Sequence, residues 1–142
     1  MFFKKKPDPK KMDAMAETIA AFMKMSIAAI EKNELTEVDE VVIDCFLFGI
    51  VDFMAHSNKM RDTSSVSKIV GLVLVKYMAV GTDQAWSRLE SMVSMSNETA
   101  GQFVMRQGGQ AFQDFARSQD PRSVLVLNDI VSGDYFSAEP PS

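Results

Sequence analysis

Apolar residues in the first third of the chain recur at the three- and four-residue spacing of a helix buried on one face. They fall at Met12, Met15, Ala16, Ile19, Met23, Ile27 and Ile30, the stripe that an amphipathic helix presents to a core. Asp8 followed by Pro9 supplies the start, since an aspartate accepts from a free N–H at the helix end and a proline there loses no hydrogen bond. The spacing predicts a first helix reaching about Lys32, with Asn33 at its C-terminus.

Thr36 and Asp39 form the next start signal, a capping box with aspartate in place of glutamate, and predict a second helix from Glu37 to about His56. Val38, Val42, Phe46, Leu47, Ile50, Phe53 and Met54 cover more than half of its circumference. A narrow acidic stripe of Glu37, Glu40, Asp44 and Asp52 remains, so the helix is expected to be central, with that stripe in water. Small polar residues from Ser57 to Ser65 mark a loop. The run Val66 to Val80 is apolar nearly all round, with Lys68 and Lys76 its charges. Its β-branched content allows a strand, but its length and the stop at Gly81 favour a third helix.

Thr82 is expected to cap a fourth helix with Trp86, Leu89 and Val93 as its buried stripe, and a fifth helix is expected from about Ser96 or Asn97. That fifth segment holds Gly101, Gly108 and Gly109, and adjacent glycines predict a kink or break. Either close helix packing or a hinge would account for them, packing being preferred. Asp120-Pro121 opens a last helix that Gly133 ends. The fold class is therefore all-α, a single compact domain of five to seven helices with two apolar central helices. It spans residues 9–133, between a basic arm (1–8) and an irregular tail (134–142).

Composition agrees, since 142 residues with 46% apolar and 24% charged side chains suit one globular domain. No apolar run reaches the length of a membrane span. The one cysteine, Cys45, excludes an intramolecular disulfide, and a cytoplasmic protein is expected. Asn97-Glu98-Thr99 is a glycosylation sequon only if the chain is exported.

Charge divides the chain: residues 1–12 carry five lysines against one aspartate, and the rest has ten basic and eighteen acidic residues. An acidic body without a basic stripe argues against nucleic acid. The arm, with Phe2 and Phe3 beside Lys4, Lys5 and Lys6, has the composition of a weak contact for a membrane surface or an acidic partner. A plain solvated terminus is the simpler account.

Catalytic motifs are missing, and His56 is the one histidine. On a continuous helix it lies roughly 16 Å from Cys45, too far for a dyad, and Cys45 is read as core. Asp52 and His56, four residues apart, are a weak candidate for a switch, with a surface ion pair as the simpler reading. Eleven methionines would suit an adaptable surface, though most are expected to fill the core.

No cofactor or metal is expected. The favoured function is a non-catalytic protein–protein interaction or regulatory module, of inhibitor, immunity or adaptor type, acting as a homodimer or on another protein. Four apolar residues in succession cannot all face one neighbour, so Phe48, Val51, Leu72 and Val75 are the expected interaction surface. The alternatives are a small-molecule binder with an apolar pocket between helices and, third, a metal-dependent enzyme using Asp or Glu.

Overall fold

A computed structural model describes residues 8–60 and 62–133. Six α-helices follow one another: α1 (Pro9–Ala28), α2 (Glu37–Ser57), α3 (Thr63–Gly71), α4 (Thr82–Met95), α5 (Thr99–Ser118) and α6 (Val126–Ser132). A π-helical segment, Leu72–Tyr77, continues α3, and a 3₁₀ turn, Pro121–Leu125, leads into α6. The fold is all-α, with no strand among the described residues, and none of its helices is long and apolar enough to cross a membrane.

Three of the start signals are realised in atomic detail. Asp8 accepts from the Lys10 N–H at 2.9 Å and Asp120 from the Arg122 N–H at 3.0 Å. Thr36 and Asp39 exchange both bonds of the capping box, at 3.1 Å and 2.9 Å. Helix α1 ends at Ala28, short of Lys32, because the segment after it is drawn elsewhere. The Glu31 N–H donates to Asn128 of α6, and the Lys32 ammonium pairs with Asp39 at 2.8 Å.

Helix α2 is the centre of the molecule. Phe46, Leu47, Ile50 and Val51 are completely enclosed, and the partner on which α2 packs most extensively is α5. Glycines make that approach possible. A β-carbon on Gly49 would overlap the Met105 carbonyl of α5, and one on Gly108 the Phe46 carbonyl of α2. No break follows Gly108 and Gly109; α5 runs through them, and the glycines serve packing. Phe22 of α1 completes this core, edge-on to Phe112 with ring centres 5.5 Å apart. Met12, Met15, Met23, Met60 and Met92 are core residues as well.

The stretch expected as one helix from Val66 to Val80 departs from that expectation. The wider π turn sends Val73 and Leu74 into the core and leaves Leu72 half-buried and Val75 exposed. The chain then reverses at Ala79, whose φ of 57° is left-handed, while Val80 N–H reaches back to the Leu74 carbonyl at 2.8 Å. Gly81 is not the stop. Its φ of −61° is ordinary, and it occupies the N-cap position expected for Thr82. Helix α4 also turns differently: Ala85, Leu89 and Met92 face inward. Trp86 and Val93, expected in the buried stripe, are 60% and 44% exposed.

Candidate functional site

The four residues expected to form one interaction surface are distributed over different parts of the molecule. Val51 is a correction: at 0% exposure it belongs to the core, because α2 is surrounded, with α1, α3, α4 and α6 packed on it as well as α5. Phe48 is half-buried in a cleft between α2 and α5, in company with Asp52, His56 and Arg106. Leu72 and Val75 line a separate groove between the start of α1 and the α3–π segment. The arm residues Phe2, Phe3, Lys4, Lys5 and Lys6 lie outside the described residues.

Asp52 and His56 sit at a 3.7 Å separation with both side chains more than half exposed, the arrangement of a surface ion pair. Cys45 is buried, and its thiol is pushed up to about 11 by burial first and by the neighbouring Asp44 second. A thiol so disfavoured as thiolate is a poor nucleophile at neutral pH. Among the described residues no group of three or more His, Cys, Asp or Glu side chains is placed to hold a metal ion.

Asp44 corrects the picture of a solvated acidic stripe. Its carboxylate is buried against α4, where Arg88 approaches it at 2.6 Å. Asp44 thereby ties α4 to α2, and α4 keeps one of its edges in solvent.

That edge carries the most exposed large apolar side chain among the described residues, Trp86, and its neighbour two turns on, Val93. Seven residues on a helix span about 10.5 Å and bring the side chains back to nearly the same direction. Glu90 lies between them and is exposed. Trp86 could not be singled out from the sequence, because Leu89 belongs equally to an 86-89-93 stripe and to the 85-89-92 stripe that is buried.

Comparisons with protein-family models, with curated proteins and with solved structures find no match to this chain.

Proposed function

We propose that the chain is a non-catalytic interaction module that pairs with a second copy of itself through the outer edge of α4. The observation that carries this reading is Trp86, 60% exposed on an ordered helix with Val93 beside it. A tryptophan offers the largest apolar area of any side chain, and tryptophans are the residues most enriched at the energetic centres of interfaces. A two-fold axis midway between positions 86 and 93 would set each Trp86 ring on the Val93 of the other copy, as a closed dimer requires. The sparse chemistry supports the same reading: Cys45 is enclosed and His56 is engaged at the surface with Asp52.

Trp86 is the only tryptophan, so it reports on its own environment. Light scattering should give about twice the chain mass at micromolar concentration, and tryptophan emission should move to longer wavelength on dilution. Trp86→Arg should return the protein to a monomer that keeps its helical circular-dichroism spectrum and loses the concentration dependence of its melting temperature. A wild-type chain that stays monomeric at high concentration, with red-shifted emission throughout, would overturn the dimer.

A further inference from the structure

Gly71 stands apart from the other helical glycines. Its backbone is ordinary right-handed helix, with φ of −58° and ψ of −43°, and a β-carbon there would meet nothing within 4 Å. Gly49, Gly101 and Gly108 each avoid overlap with a neighbouring backbone. Gly71 avoids nothing, and glycine inside a helix destabilises it relative to alanine. What the missing side chain does is keep open a groove of about 1160 Å³.

Met12, Leu72 and Val75 give that groove an apolar lining, and Lys10, Lys68 and Lys76 bring positive charge to it. The face of the α3–π wall repeats at helical spacing, from Lys68 through Gly71, Leu72 and Val75 to Lys76, over about 12 Å. The single acidic side chain in the groove, Asp13, is already neutralised, with Lys76 at 2.7 Å. Hydrogen bonds from Lys76 and Tyr77 hold its carboxyl below the ordinary range. Lys10 and Lys68 have no carboxylate partner among the described residues. The wall itself is unusual, since π-helical turns are rare and concentrate at functional sites, and this one ends on the left-handed Ala79.

We infer that this groove binds a single-chain anionic amphiphile of the fatty-acid type, its hydrocarbon chain laid over Gly71, Leu72 and Val75 and its head group neutralised by Lys10 and Lys68. An uncharged hydrocarbon would leave the lysines unanswered. A small hydrophilic anion would leave the apolar lining in water. The match of an apolar lining with lysines that have no carboxylate partner among the described residues selects a ligand having both characters. The site does not include α4, so it stands or falls independently of the dimer.

Monomeric laurate, kept below its micelle concentration, is the probe, with dodecanol as the uncharged control. Titration followed by calorimetry and by the methyl resonances of Leu72 and Val75 should show one laurate per chain and a shift of both residues. Gly71→Leu, which fills the groove, should weaken binding by about tenfold or more without lowering the melting temperature. Gly71→Ala should raise that temperature. Lys10→Ala with Lys68→Ala should remove the preference for laurate over dodecanol, and Trp86→Arg should leave binding intact. No binding below about 1 mM, or equal binding by Gly71→Leu, would overturn the proposal. So would binding to phosphatidylserine vesicles without binding to monomeric laurate, or movement of the same methyl resonances on dilution alone, which would make the groove a contact between copies.

Discussion

Arg88 of α4 grips the Asp44 carboxylate of α2 with two nitrogens, Nη2 at 2.6 Å and Nε at 3.0 Å from the same oxygen. Burial pushes the Asp44 carboxyl up, and Arg88 offsets part of that shift. Removing Arg88 would strand a buried charge, so Arg88→Met should cost about 2 to 3 kcal/mol near pH 7, below the range for fully enclosed pairs because Arg88 is partly in water. Without Arg88 the folded-state pKa rises further above the unfolded one. The cost is then complete above the folded pKa and shrinks as pH falls through it. Urea unfolding between about pH 7 and pH 4 should show the gap to wild type narrowing. A gap independent of pH would mean that Arg88 acts by packing alone.

Asp39 should behave in the opposite sense. Burial raises its carboxyl, but the Lys32 ammonium and the Thr36 N–H and hydroxyl outweigh burial and hold it below the ordinary value of 3.8. Its contribution to stability is complete above the unfolded pKa and is lost as pH falls through the depressed folded one. Asp39→Asn should lose about 1 to 2 kcal/mol at neutral pH. Below about pH 4 its stability should fall less steeply than that of wild type. Parallel acid unfolding curves for the two proteins would remove Asp39 from the account.

Adjacent glycines in α5 should differ sharply in tolerance. Gly108→Ala forces a methyl into the Phe46 carbonyl, and Gly49→Ala forces one into the Met105 carbonyl, so backbone must move in both cases. Each should cost about 3 kcal/mol or more. A β-carbon on Gly109 would lie 3.3 Å from the Gly49 carbonyl and from the Phe53 β-carbon, a tight contact that a small adjustment relieves. Gly109→Ala should therefore be the mildest of the three. Thermal melts of the three single variants give the order directly, and a Gly109→Ala variant as damaged as Gly108→Ala would refute the close-packing account.

Local signals in the sequence were reliable where one residue's chemistry decides the structure. Asp8-Pro9, the Thr36 and Asp39 box and Asp120-Pro121 each satisfy helix-end N–H groups through side chains a few positions away. The central place of α2 was equally legible, because its apolar circumference admits no other position. Asp44 is illegible for the converse reason: its partner is 44 positions distant, and no local pattern contains it. The π segment was hidden by uniformity. Leu72, Val73, Leu74 and Val75 are all apolar, so neither a wider turn nor the division into inward and outward pairs leaves a trace in polarity. The groove is half visible in the sequence, since Leu72 and Val75 stand out for their excess of apolar surface. Their separation from Phe48 and Val51 needed the tertiary fold.

The glycine contacts between α2 and α5 also bear on how the chain is made. Helix α2 is complete at Ser57 and the partner that covers it is complete only at Ser118. About 60 residues must be added between those points, which at about 5–20 residues per second takes several seconds. Throughout that interval the most apolar helix in the protein lacks its principal cover. Synthesis thus exposes a sticky intermediate that the finished molecule hides, and truncation before α5 should yield an aggregation-prone chain dependent on chaperones.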